Sequence, residues 1–207
     1  MGYIGKIPSA VPLTSADITD NVITSAKIVD GTIALADLSA TGTKNSTTFL
    51  RGDNTFATAG GANTPAFFAY LSADQSISNA TSTKAQFNTE LFDIGGCYDN
   101  ATNYRFTPTT SGKYMIFSNL LIQLNDYGIY SASVEIYKNG SQYAFANNVF
   151  GTGANLAICM YISQIVEFNG SSDYVEIFGY MERHTSTGNK FESGTKSSYF
   201  GAYKIIE

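Results

Sequence analysis

Residues 113–124, KYMIFSNLLIQL, decide the fold of the larger part of this 207-residue chain. Their apolar positions follow the two-residue period of a β-strand. One face is almost entirely apolar and carries Tyr114, Ile116, Leu120, Ile122 and Leu124. The opposite face is apolar as well, with Met115, Phe117 and Leu121. The stretch therefore predicts a long strand that has two apolar faces.

Further strands follow, separated by short turns. Residues 134–138 lead through Asn139-Gly140 into residues 142–145, which is a strong hairpin signal. Two more stretches, 158–168 and 174–181, are joined by the turn residues NGSS, and the chain closes on an aromatic strand over 199–206. Many strands without intervening helices predict an all-β fold, a sandwich or jelly roll.

Several strands carry more aromatic residues than one core needs. Tyr174, Phe178 and Tyr180 alternate with the aliphatic face of their strand, and Tyr203 lies in the last strand. Each sheet of a lone two-layer sandwich buries only one face. We therefore expect these four side chains to contact neighbouring subunits, where tyrosine is favoured. The alternative is that they are simply exposed.

Residues 13–38 follow a different pattern. Two kinds of pentad alternate, so the unit is a decapeptide, ITDNVITSAK followed by IVDGTIALAD. A large aliphatic residue recurs at every fifth position: Leu13, Ile18, Ile23, Ile28, Ile33 and Leu38. Burying six side chains does not offset the conformational entropy lost when the whole segment becomes ordered. We predict a symmetric fibre stalk, built from several chains, with these six residues at its subunit contacts; a single-chain pentapeptide solenoid is the alternative.

The aromatic residues divide the chain into regions. Of the 14 Phe and 14 Tyr residues, only Tyr3, Phe49 and Phe56 precede residue 61. The sequence thus predicts an N-terminal docking segment over residues 1–12, the stalk over 13–40, a hairpin and linker over 41–65, and a head over 66–207. The hairpin is TTFLRGDNTFA, residues 47–57, with Gly52-Asp53-Asn54 as its turn. Its Arg-Gly-Asp triplet admits an integrin-binding interpretation, but the turn alone accounts for it.

The composition excludes several functional classes. A net charge of −5 is unsuited to nucleic acid, because phosphate binding needs a basic face. No apolar run is long enough for membrane insertion, and the start MGYIGK has no secretory core, so we expect synthesis in a cytoplasm. Cys97 and Cys159 are too few for a disulfide framework and are predicted to be reduced and buried.

The chain offers little catalytic chemistry. The one histidine, His184, stands in a stretch rich in Ser, Thr and Gly. No metal-ligand spacing and no phosphate-binding glycine loop occur, so the sequence predicts no catalytic residue, no metal and no cofactor. A polysaccharide-degrading spike, which would need convergent carboxylates, stays a minor alternative.

The head resembles the C1q-like family. The resemblance rests on four stretches in the family's order: TKAQFNTELFDIGGCYDNATNYRFTPTTSGKYMIFSNLLI (83–122), SVEIYKNGS (133–141), VEFNGSSDYVEI (166–177) and SYFGAYKI (198–205). It covers the chain from about residue 66 to the C-terminus and implies a C1q/TNF-like jelly roll assembled as a homotrimer. The contacts of the stalk would then be trimer contacts. Collagen repeats, which usually precede such heads, are absent from this sequence.

The N-terminal third resembles bacteriophage fibre proteins. GYIGKIPSAVPLTSADI (2–18) and the repeats that follow look like the opening of such proteins, and TTFLRGDNTFA is similar to a hairpin frequent in tail fibres. The resemblance implies a virion protein that binds other virion proteins through its N-terminus. A secreted or surface C1q/TNF-like recognition protein is the alternative.

The longer loops of the head are the predicted receptor site. The C1q-like resemblance implies that the chain enters the head beside its C-terminus, next to the short turns, so the longer loops would lie at the far end. Loops on a rigid scaffold commonly carry binding residues. The candidates to bind a host cell-surface glycan or protein are Tyr127, Tyr130, His184, Asn189 and Lys190.

Overall fold

The structure is a computed structural model that describes residues 14, 23–29, 31–58, 63–125, 128–151, 156–184 and 188–205. The chain divides into two compact units, Met1–Ala59 and Gly60–Glu207, and each is described here by itself.

The decapeptide repeat of the first unit has a structural counterpart. Single 3-10 turns occur at Ser25–Lys27 and Leu35–Asp37, so they begin ten residues apart. The second turn is capped by the Asp37 carboxylate, which accepts the Ala34 N–H at 2.8 Å. Between the two, the Thr32 N–H donates to the Val29 carbonyl at 3.0 Å around Gly31, whose φ is +81°.

The aliphatic positions of the repeat are uncovered in a single chain. Ile23 and Ile33 are 55% and 56% exposed, Ile28 is exposed and Leu38 is half-buried. Leu13 and Ile18 lie outside the described residues. A segment that needs partner chains is expected to leave such a row of aliphatic side chains uncovered in a single chain. That these residues form trimer contacts stays a prediction.

The predicted hairpin is present in the first unit. Strand β1 (Thr48–Leu50) pairs antiparallel with β2 (Phe56–Thr58). The Asp53 carboxylate accepts the Thr55 hydroxyl at 2.6 Å, and Asn54 has a φ of +61°, in the left-handed region that asparagine tolerates. The turn therefore uses the aspartate of the Arg-Gly-Asp triplet for its own geometry.

The second unit is built from strands β3 to β15. Their bounds are β3 (Ala66–Tyr70), β4 (Gln75–Ser76), β5 (Thr83–Lys84), β6 (Thr89–Ile94), β7 (Tyr98–Asp99), β8 (Arg105–Phe106), β9 (Gly112–Gln123), β10 (Ile129–Lys138), β11 (Ser141–Val149), β12 (Ala157–Phe168), β13 (Val175–Arg183), β14 (Lys190–Phe191) and β15 (Tyr199–Lys204).

These strands form two sheets. The β10 sheet has the order β11-β10-β13-β8-β7, and β5 also pairs with β13. In the β9 sheet, β6, β3, β15 and β9 are neighbours in that order, β12 lies on the other side of β9, and β14 and β4 extend the end of β9. Strands distant in sequence are neighbours in both sheets, which is the crossing pattern of a jelly roll. The predicted all-β jelly-roll fold is confirmed.

The core fills the space between the two sheets and is rich in aromatic rings. Phe67 stacks on Tyr98 and Phe106 with ring centroids 4.4 and 4.8 Å apart, and Phe200 meets it edge-on at 4.8 Å. The predicted alternation of β9 is confirmed, because its inner residues are buried and Met115, Phe117 and Leu121 on its outer face are half-buried.

The cysteines differ in their surroundings. Both are free thiols, and Cys97 is buried as predicted. The prediction that Cys159 is buried was wrong for the single chain. Cys159 is exposed on β12, because that strand turns it towards the outer face of the β9 sheet, which no other part of the unit's described residues covers.

The two ends of the second unit differ as predicted. At one end, the turn at Asn139 contacts the turn before β13, since the Asn139 side chain donates to Asp173 at 2.8 Å. The unit's first strand starts at the same end. The Lys204 N–H donates to the Pro65 carbonyl at 3.2 Å, and the Lys113 carbonyl, which accepts the next N–H at 2.8 Å, lies opposite Glu167, close to the turn before β13. The described flanks of the longer connections meet at the opposite end, here called the loop end, where the His184 N–H donates to the Gly128 carbonyl at 3.1 Å.

Candidate subunit-contact face and loop-end cleft

The outer surface of the β9 sheet is apolar and uncovered. Tyr161 and Ile165 of β12 are 54% and 48% exposed. We call this surface the outer apolar face; its residues are Phe68, Phe92, Ile94, Met115, Phe117, Leu121, Tyr161, Ile165, Tyr199 and Tyr203. Phe68 stacks on Tyr199 at 5.3 Å and Phe117 lies 6.4 Å from Tyr203, so the rings form a continuous layer.

Gly201 in β15 keeps this face flat. An added Cβ atom at this position would collide with the ring of Phe117. The ring therefore lies directly across the backbone of β15, between Tyr199 and Tyr203. This close approach needs a residue without a side chain.

The four predicted subunit-contact residues do not share one surface. Tyr203 belongs to the outer apolar face and is 38% exposed. Tyr174, Phe178 and Tyr180 lie instead on the outer surface of the β10 sheet, where all three are half-buried. Each has a partner within the chain: the Arg105 guanidinium over Tyr174 at 4.5 Å, the Tyr137 ring against Phe178 at 4.2 Å, and the Glu182 carboxylate 3.4 Å from the Tyr180 hydroxyl.

Charged groups share that surface of the β10 sheet. Glu176 is buried and pairs with Lys84 at 2.6 Å. Glu135 is also buried and accepts hydroxyl hydrogen bonds from Ser82 at 2.5 Å and Ser133 at 2.7 Å. A surface whose carboxylates are satisfied inside the chain is less suited to a dry subunit contact than the outer apolar face.

At the loop end, His184 joins three loops. Its ring meets Tyr130 edge-on at 5.2 Å, and its Nε2 lies 3.0 Å from the Gly151 carbonyl. His184 is exposed to solvent. Tyr127 lies outside the described residues.

The other two receptor candidates have structural contacts. Asn189 is 7% exposed, and its backbone carbonyl accepts the Ile77 N–H at 3.0 Å. Lys190 belongs to β14 and pairs with Asp74 at 2.7 Å. The hydrogen bond from Lys190 holds the pKa of Asp74 to about 2. A two-residue strand in a polar stretch gives no periodic signal, so the sequence did not reveal these contacts.

A cleft of about 450 Å³ opens at the loop end. It lies between the β4–β5 connection, the end of β13 and the start of β14. Its lining residues are Ser76, Ile77, Ser78, Asn79, Arg183, Gly188 and Asn189. Arg183 could not be predicted as a site residue from the sequence, because residues that line the cleft with it, such as Asn79, are about a hundred positions away in the chain.

The described part of the chain shows no metal centre, since no three His, Cys, Asp or Glu side chains cluster there in a way that could hold an ion. It also contains no helix with the length and apolar character needed to cross a membrane.

Comparisons with known proteins give similarity of fold only. No protein-family profile and no curated protein match the chain. Among solved structures, murine APRIL is 10% identical with a TM-score of 0.49, and the match covers 68% of this chain and 98% of that one. The globular domain of zebrafish complement 1qA is 14% identical with a TM-score of 0.46, covering 68% and 97%. Eiger TNF from S. frugiperda is 9% identical with a TM-score of 0.49, covering 68% and 91%. The jelly-roll assignment rests on the strand order described above.

Proposed function

We propose that this protein is a homotrimeric fibre with a recognition head, assembled through the outer apolar face. The observation that carries the proposal is the continuous layer of half-buried and exposed rings and aliphatic side chains on the β9 sheet. Soluble monomers rarely expose large contiguous apolar patches. Each large apolar side chain that becomes fully buried contributes about 1.5–3 kcal/mol.

A second apolar surface supports a ring of subunits. Strand β11 is the edge of the β10 sheet and exposes Tyr143, Phe145 and Val149. A face on one subunit and an edge on the next form a heterologous contact, which closes into a ring when the rotation between subunits allows it. A three-membered ring brings three copies of the first unit together, and their exposed isoleucines then have partner chains to pack against.

We further propose that the fibre belongs to a bacteriophage virion. The decapeptide repeat and the hairpin of the first unit support this role. Residues 1–12 would dock on other virion proteins, and the head would attach to a host cell-surface glycan or protein. The loop end lies opposite the end of the head at which its first strand begins, and loops on a rigid scaffold commonly carry binding residues. Three identical heads would raise the avidity for a repetitive surface.

Light scattering on the full chain tests the assembly. A trimer has three times the 22.3 kDa mass of one chain, and a stable species of one chain mass would overturn the proposal. Imaging of phage particles with this chain labelled tests the virion role. Label at a fibre is expected, whereas purified particles without the chain would refute that role and leave the assembly standing.

A further inference from the structure

Arg183 is positioned at the wall of the loop-end cleft by two contacts. Its guanidinium Nη1 donates to the Oδ1 of Asn189 at 2.6 Å, and its backbone N–H donates to the Oδ1 of Asn79 at 3.0 Å. A guanidinium has five N–H donors, and the other four have no partner among the described residues. Arg183 is therefore a half-buried cation that two contacts hold in place, and four of its guanidinium N–H groups are available to bind a molecule in the cleft.

Asn189 contributes a second unused donor. Its side chain is buried, and because its Oδ1 accepts from Arg183, its NH₂ group is left as the donor. Asn189 is one of the residues that line the cleft, and its NH₂ group has no acceptor among the residues that the structure describes. Buried amide donors are normally satisfied, so this one calls for an acceptor from a molecule in the cleft.

The cleft has the charge and shape of a site for an anion with hydroxyl groups. Its lining includes no carboxylate, although the chain as a whole has a net charge of −5. Ser76 and Ser78 add hydroxyls that make no hydrogen bond within the described part of the chain. A volume of about 450 Å³ falls within the range of roughly 300–1,000 Å³ found for small-molecule sites.

We propose that this cleft binds a carboxylate-bearing sugar of a surface polysaccharide. The carboxylate takes the free edge of the Arg183 guanidinium and the Asn189 NH₂ group, and the sugar hydroxyls meet Ser76 and Ser78. One cation and one neutral amide balance a single negative charge, which suits a carboxylate better than a doubly charged phosphate. This inference rests on the proposed role of the head in attachment, and it assigns the receptor class and the site.

The test uses the full-length protein and immobilised polysaccharides. The probes are alginate, a polymer of uronic acids, and dextran, a neutral polymer, with free glucuronate and inorganic phosphate as competitors. The test variant is Arg183→Gln. The matched control is Lys196→Gln, which removes the same charge from an exposed residue in the turn before β15, outside the cleft. The mass of each variant is measured first by light scattering.

We expect the wild type to bind alginate and not dextran. Loss of charge-assisted hydrogen bonds in Arg183→Gln is expected to weaken alginate binding about tenfold or more, while Lys196→Gln changes it less than about twofold. Glucuronate is expected to compete better than phosphate. Equal losses in the two variants, equal competition by phosphate, or no alginate binding would each overturn the inference. A trimer that ignores alginate refutes the cleft alone, whereas a monomer that binds alginate through Arg183 refutes the trimer alone.

Discussion

Gly179 lies in the middle of β13, where a side chain would point into the core. A Cβ atom there would lie 2.6 Å from the ring of Phe191 and 2.7 Å from a methyl of Leu120. We expect Gly179→Ala to lower the free energy of unfolding by about 1–3 kcal/mol through overpacking, measured by urea denaturation. In the control Gly52→Ala the added atom meets nothing within 4 Å, and a change below about 0.5 kcal/mol is expected. Equal changes in the free energy of unfolding would contradict the prediction, because the core around Gly179 would then accept the added methyl group without cost.

Asp99 shows how one carboxylate makes the head sensitive to acid. Its oxygens accept the backbone N–H groups of Thr102, Ala101 and Asn103, with Thr102 closest at 2.8 Å. These hydrogen bonds, that from Thr102 above all, lower the pKa of Asp99 from 3.8 to about 2. The folded state therefore binds the proton less readily than the unfolded chain does, so the stabilisation is complete above about pH 4 and is lost as the pH falls towards 2.

We expect Asp99→Asn to remove part of this dependence on pH. At pH 6 the variant should unfold at lower urea concentration than the wild type, because the charged acceptor is gone. Near pH 2 the difference between the two midpoints should be much smaller, since the wild-type carboxyl is then protonated in the unfolded chain and about half protonated in the folded state. A gap that stays constant from pH 6 to pH 2 would contradict the role of the charge.

At the scale of elements, β12 and β13 offer two rival subunit contacts. Both carry a tyrosine on the outer surface of a sheet, but Tyr161 is 54% exposed on the outer apolar face, whereas Tyr180 is half-buried beside the Glu182 carboxylate. A lysine at position 161 would lose its hydration in a dry subunit contact without gaining an ionic partner. A lysine at position 180 would lie beside the Glu182 carboxylate, which can pair with it.

We therefore expect Tyr161→Lys to shift the full-length protein from trimer to monomer in light scattering at micromolar concentration. Tyr180→Lys is the matched control and should leave the trimer mass unchanged. The reverse result would return the contact to Tyr174, Phe178 and Tyr180 and remove the outer apolar face from the proposed assembly.

For the whole molecule, the question is how the first unit becomes ordered. Its described residues form 3-10 turns and a hairpin, and its isoleucines stay exposed within one chain. The entropy cost of ordering such a segment needs burial by other chains. Three copies held together by their heads would supply it, because tethering raises the local concentration of the stalks.

We expect residues 1–60 expressed alone to be monomeric and without ordered structure by circular dichroism. The same residues in the full chain should resist proteolysis under conditions that digest the isolated segment. A folded, monomeric segment would contradict the dependence on the head and favour a single-chain solenoid.

Local patterns in the sequence were sufficient for much of this description. The alternation over residues 113–124, the decapeptide repeat and the hairpin around Gly52 follow from short-range stereochemistry, which neighbouring residues specify. The tertiary structure alone decided which aromatic surface stays uncovered, that Cys159 is exposed, and that Arg183 and Asn189 meet Ser76 and Ser78 in one cleft. The physical reason is that burial and unpaired donors depend on residues about a hundred positions apart, brought together only when the two sheets close.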